Sequence, residues 1–190
     1  LRNSVYLGEW YDARNEIPGW NLSGFDGHNW AKACEVGGPG GKLQSRFFQP
    51  VKITSPINPV KITETEKGIF VVDMGTNFAG IYKIRMKGKT GDTITFRFGE
   101  RLYENKSLNP MTTACGQIKR KGQGGPGSPD IAWQTDTYVF GKNTNVWYEP
   151  RFTFHTFRYM EIKGLKQKPE LSDISGMALN TAVEECNQFE

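Results

Sequence analysis

The chain has 190 residues, with 24 Lys+Arg against 20 Asp+Glu for a formal charge of +4, and 37% of it is hydrophobic, including 12 Phe, 7 Tyr and 5 Trp. That is too much aromatic material for a disordered chain, and no run nears the ~18 apolar residues of a membrane-spanning helix. The positive excess is dense only at Lys119-Arg120-Lys121, inside a glycine-rich stretch, so neither nucleic acid nor a membrane is an expected partner.

In chain order, the first fifty residues read as loop-rich and Trp-bearing (Trp10, Trp20, Trp30), with a turn-rich link over residues 35–42 and a hinge near Pro50, Pro56 and Pro59. Beyond it the pattern has period two. Strands are expected over residues 60–65, 69–74, 81–86, 93–98, 137–140, 148–154, 158–163 and 173–179. In the third of these Tyr82, Ile84 and Met86 share one face and Lys83, Arg85 and Lys87 the other, the mark of a half-buried antiparallel strand. A glycine-marked turn over residues 88–92 leads to Ile94, Phe96 and Phe98, again on one face. A long Gly/Pro-rich loop over residues 113–130 reads as disordered or as an exposed flap. Helical periodicity is nearly absent, so the fold class is all-β, an antiparallel sandwich or barrel. Its expected core is Val72, Tyr82, Ile84, Ile94, Phe96, Tyr138, Phe152, Phe154 and Tyr159.

Several chemistries lack their residues. Cys34, Cys115 and Cys186 are far apart, and His28 and His155 are the only histidines, so no Cys/His set has metal or redox spacing. There is no nucleophile elbow, Walker loop or dinucleotide fingerprint. Glu9, Asp12, Asp73, Glu100 and Asp136 are the carboxylates to weigh as a glycosidase pair. Glu9 and Asp12 are three apart in an extended stretch and face opposite sides. Asp136 opens a strand and suits a turn cap, and Asp73 precedes Gly75 and Asn77, as a carboxylate tying a tight turn would. No catalytic pair is therefore expected. Arg158 either bridges to Glu100 or Asp73 or stays solvated. Trp20, Asn29 and Trp30 sit in loops, where they are candidate carbohydrate-binding residues or else aromatic plugs anchoring the loop to the core.

Six short segments, in order, carry a resemblance. Gly8-Glu9-Trp10-Tyr11-Asp12-Ala13-Arg14 with Gly19-Trp20 is similar to the GE-x-YDAR…GW signature of bacterial α-L-rhamnosidases. Phe25-Asp26-Gly27-His28-Asn29-Trp30 resembles the turn that follows it in that family. Asp73 to Gly80 (DMGTNFAG), Gly99-Glu100-Arg101-Leu102, Asp136-Thr137-Tyr138 and the run from Glu149 to Tyr159 (EPRFTFHTFRY) resemble segments of the family's concanavalin-like β-domain. Thr156 departs from a usual Gly, and the Gly-rich loop before Asp136 is longer than usual.

The resemblance implies the end of an N-terminal β-domain over residues 1–50, a concanavalin-like (jelly-roll) sandwich over 51–165, and a last strand and linker over 166–190 leading toward a catalytic helical barrel. It implies a parent glycoside hydrolase that removes terminal L-rhamnose from glycans or glycosides with inversion, using acidic residues of an (α/α)6 barrel beyond Glu190. This piece is then expected to be non-catalytic, a scaffold whose partner is its own catalytic domain. Two alternatives are a carbohydrate-binding module for rhamnose and a protein-interaction sandwich. No cofactor is expected, although the family resemblance makes calcium conceivable, and it favours a periplasmic or secreted location.

Overall fold

The computed structural model describes residues 2–114 and 131–183. Cys115, Cys186, the basic trio at 119–121 and most of the expected flap lie outside the described residues. The strands are β1 (Arg2–Ser4), β2 (Gly8–Asp12), β3 (Val51–Ile57), β4 (Lys61–Glu66), β5 (Ile69–Lys87), β6 (Thr93–Gly99), β7 (Arg101–Leu102), β8 (Leu108–Asn109), β9 (Thr135–Val139), β10 (Asn145–Tyr148), β11 (His155–Lys163) and β12 (Ile174–Thr181). Among the described residues the only helical elements are three short 3-10 turns.

Ten strands form one sheet in the order β1-β2-β9-β6-β11-β5-β12-β3, with β4 and β10 also paired to β5. The pairings are antiparallel except β2 beside β9. β9 and β10 are well separated along that order, yet the rings of Tyr138 and Tyr148 stand 5.0 Å apart. The sheet therefore curls, and the two layers of the expected all-β fold are opposite walls of one curled sheet. Its interior holds Tyr82, Ile84 and Met86 of β5, Ile94, Phe96 and Phe98 of β6, and Phe157, Met160 and Ile162 of β11, all fully or nearly fully buried. Alternation places Lys83, Arg85 and Lys87 outside. Each large apolar side chain buried this way contributes about 1.5–3 kcal/mol.

The structure corrects several expectations. The segments at 69–74 and 81–86 are one 19-residue strand, because β4 and β11 both hold its first part and β11 continues pairing up to Gly80. β3 forms across Pro56; it sits at a sheet edge, pairing only with β12, where a missing N–H is tolerated. β1 and β2 form a hairpin in the stretch read as loop-rich.

The expected strand at 148–154 ends where it was to begin. β10 stops at Tyr148, and the chain then turns through Pro150. Phe152 and Phe154 are consequently outside the core, 58% and 48% exposed. Thr153, His155 and Phe157 point inward instead. A bulge between Phe157 and Tyr159 then reverses the phase, so Met160 and Ile162 are buried and Tyr159 is only half-buried.

Candidate functional site

Two carboxylates and an imidazole are sealed inside the curl: Asp136 of β9, Glu9 of β2 and His155 of β11 are 0%, 1% and 1% exposed. Burying ionised groups is costly unless every one is paired or hydrogen-bonded. Here each is. Asp136 Oδ1 accepts the Glu9 backbone N–H at 2.8 Å, and Oδ2 accepts the Tyr82 hydroxyl at 3.1 Å. His155 Nε2 lies 3.0 Å from both carboxylate oxygens. Its Nδ1 is 3.1 Å from Gln134 Oε1, and the Gln134 amide donates to the Thr113 carbonyl at 2.6 Å. The imidazole also stacks on Phe98, with centroids 3.9 Å apart.

Glu9 carries the network across the sheet's open seam. Its Oε1 accepts the Tyr148 hydroxyl at 3.0 Å, and its Oε2 accepts the backbone N–H groups of Arg151 and Phe152 at 3.0 and 3.2 Å. No backbone ladder joins β2 to β10, so this one carboxylate ties the β2–β9 end of the curl to the chain leaving β10. Gly8 permits the close approach: it has φ +90°, and a Cβ there would fall on the Thr135 carbonyl and 2.7 Å from Asp136 Oδ1.

The surroundings push the nearby phenols upward. Burial, reinforced by Asp136 and Glu9, raises Tyr82 and Tyr148 well above the ordinary tyrosine range. Burial also lifts Tyr138 to about 12. A carboxyl that protonates a glycosidic oxygen or activates water must face an open cleft. Both oxygens of Glu9 and of Asp136 are instead taken by protein donors.

The other weighed carboxylates serve turns and the outer face. Asp73 accepts the Gly75 N–H at 2.8 Å, with Gly75 at φ +78°, as a turn-tying carboxylate should. Of the two bridges open to Arg158, the Asp73 one forms: Nε and Nη2 donate to the two oxygens at 2.9 and 3.1 Å, and the guanidinium lies over the Tyr159 ring at 5.1 Å. Glu100 accepts from Asn77 at 3.0 Å. Asp12 pairs with Arg14, which lowers its carboxyl to about 2. Asp136 is no turn cap; its side chain points into the curl, the direction that alternation assigns to Asp136 and Tyr138 alike.

Trp20, Asn29 and Trp30 all lie exposed in the long segment between β2 and β3. Trp20 is 57% and Trp30 51% exposed, so neither is a core plug. Trp30 meets Phe25, with centroids 5.5 Å apart, and among the described residues no ring contact joins it to Trp20. Among the described residues no three His, Cys, Asp or Glu side chains gather as a group that could hold a metal ion. A separate open cleft of about 620 Å³ lies where β10 faces the turn after β2, lined among others by Tyr11, Glu16, Lys83, Trp147, Glu149 and Arg151.

Residues 63–180 match the bacterial alpha-L-rhamnosidase concanavalin-like domain. The chain belongs to that family. Residues 1–55 match the alpha-L-rhamnosidase N-terminal domain. An alpha-L-rhamnosidase of Streptomyces avermitilis is 34% identical over 185 residues, covering 96% of this chain and 16% of that protein. Among solved structures, an alpha-L-rhamnosidase from Dictyoglumus thermophilum superposes with a TM-score of 0.81 at 40% identity, over 96% of this chain and 19% of that one. The Streptomyces avermitilis enzyme, solved in complex with L-rhamnose, gives 0.80 at 31% identity, over 95% of this chain and 16% of its own. The chain thus spans 16–19% of the length of these relatives.

Three of the rhamnosidase-like motifs meet in the buried network: Glu9 comes from GEWYDAR, Asp136 from DTY and His155 from EPRFTFHTFRY. Nothing in the separate motifs shows that Glu9, Asp136 and His155 converge. The available signal was an ionisable residue at an inward-facing position of an otherwise apolar strand, which demands a partner from another strand.

Proposed function

We propose that this chain is the accessory β-module of an α-L-rhamnosidase that removes terminal L-rhamnose from glycans or glycosides, and that it acts as a scaffold for an (α/α)6 catalytic domain elsewhere in the same protein. The observation that carries this reading is the internal commitment of Glu9 and Asp136. The module's buried carboxylates hold its own strands together, within a likeness that spans 16–19% of rhamnosidases. The apolar residues left on its surface, such as Phe152 and Phe154, suit contact with further polypeptide. The full-length protein carrying this chain is expected to release L-rhamnose from an aryl α-L-rhamnoside. Absence of release from every rhamnoside tried, by well-folded protein, would overturn the reading.

A further inference from the structure

We propose that the cleft beside β10 is a pyranose-binding subsite of the accessory module, distinct from the Trp20–Trp30 loop. The inference rests on the rhamnosidase reading only for the class of sugar. The cleft, about 620 Å³, has room for one or two sugar units. Saccharides bind where an aromatic ring meets their C–H face while polar side chains take their hydroxyls. Both features are present. Trp147 of β10 is 52% exposed and lines the cleft, and the Lys83 ammonium lies over its ring at 5.3 Å. An exposed cation over an indole is held by only about 0.5–1 kcal/mol, so Lys83 can yield the ring face to a pyranose and hydrogen-bond its hydroxyls.

Arg151 and Glu149 supply the polar part. Both line the cleft, and among the described residues neither takes part in an ion pair. A guanidinium and a carboxylate sharing a cleft without pairing leave a donor fork and an acceptor for vicinal hydroxyls. Their placement is not left to a mobile loop. The Arg151 backbone N–H is fixed by Glu9 Oε2 at 3.0 Å, and Tyr148, immediately before Glu149, is fixed by Glu9 Oε1. The buried network therefore holds one rim of the cleft in place before any ligand arrives, which reduces the cost of binding.

β10 pairs only with β5, so its far edge could instead take an added strand from another chain. The lining favours the sugar: charged groups of both signs line the cleft together with the exposed indole.

The test is an NMR titration of the full chain with methyl α-L-rhamnopyranoside, following the Trp indole and Arg side-chain N–H signals. Saturable shifts are expected at Trp147 and Arg151. Trp147→Ala and Arg151→Gln should each weaken binding by about tenfold or more, with unchanged circular dichroism because both side chains lie on the cleft surface. Tyr103→Ser, an exposed position that lines no part of the cleft, should bind as wild type. Absence of shifts, shifts at Trp20 and Trp30 instead, or normal binding by Trp147→Ala would each overturn the proposal. So would signals that move with protein concentration alone, which would mark strand addition. A silent cleft in a protein whose full-length form releases rhamnose would sink the subsite and leave the proposed function standing. Sugar binding without rhamnose release would do the reverse.

Discussion

The backbone N–H of Glu9 donates to Asp136 Oδ1 at 2.8 Å, and both residues are buried. The contact joins residues 127 positions apart and lies between the parallel strands β2 and β9. Through Glu9 it extends to Tyr148, and through Asp136 to Tyr82 and His155. A polar chain of this kind stabilises only when every member is satisfied, and then it fixes one arrangement of strands.

Removing its centre should therefore be severe. Asp136→Ala leaves the Glu9 N–H, the Tyr82 hydroxyl and His155 Nε2 facing an apolar gap, and a loss of about 3–5 kcal/mol is expected. Asp136→Asn, which keeps one acceptor, should fall between the two. Urea unfolding followed by Trp fluorescence measures this; an Asp136→Ala variant within about 0.5 kcal/mol of wild type would contradict the network's role.

Alkali should unfold the protein through Tyr82 and Tyr148. Both phenols are raised in the folded state above the reference value of 10.0. Folding thus favours the protonated form. That stabilisation is fully present below the unfolded-state value and is lost progressively as pH rises above it. Thermal melts should show stability falling steeply above pH ~10. Tyr148→Phe should be less stable at neutral pH, because Glu9 loses a donor, yet show a shallower alkaline decline. An unchanged alkaline slope in that variant would count against the assignment.

Much of the fold was legible because alternation is a strong signal where one face is apolar. Tyr82, Ile84, Met86, Ile94, Phe96 and Phe98 all lie inside as their spacing requires. The failures cluster where the phase of that alternation is reset. Pro150 and the bulge after Phe157 each shift the chain, and the sequence around them reads as continuous aromatic strand. Unbroken alternation puts Phe152 and Phe154 in the core, whereas Thr153 and His155 occupy it. The site was less legible still, since its members come from β2, β9 and β11, and nothing local says that they share one interior.

That reset can be tested by substitution. Phe157→Ala, which empties a fully buried site against Phe78 and Phe98, should cost about 3–5 kcal/mol. Phe154→Ser, at a half-exposed position, should change stability by no more than about 0.5 kcal/mol. Chemical denaturation of the two variants decides it, and the reverse order would restore the original phase.

On the outer face, Arg158 holds Asp73 below the ordinary carboxylate range. A depressed carboxyl contributes stability that is present above its unfolded-state value and lost as pH falls through the folded one. The pair is partly exposed and screened by solvent, so Arg158→Met should cost little at neutral pH. The difference from wild type should close as the solution is acidified and Asp73 protonates. A gap that persists in acid would assign the loss to packing of Arg158 on Tyr159.

The most direct measurement for the whole account is turnover of an aryl α-L-rhamnoside by the purified 190-residue chain, with folding verified by circular dichroism. No release of the aryl group is expected, because donors from neighbouring strands occupy both oxygens of Glu9 and of Asp136. Steady release by the folded chain that disappears in Glu9→Gln or Asp136→Asn would contradict it.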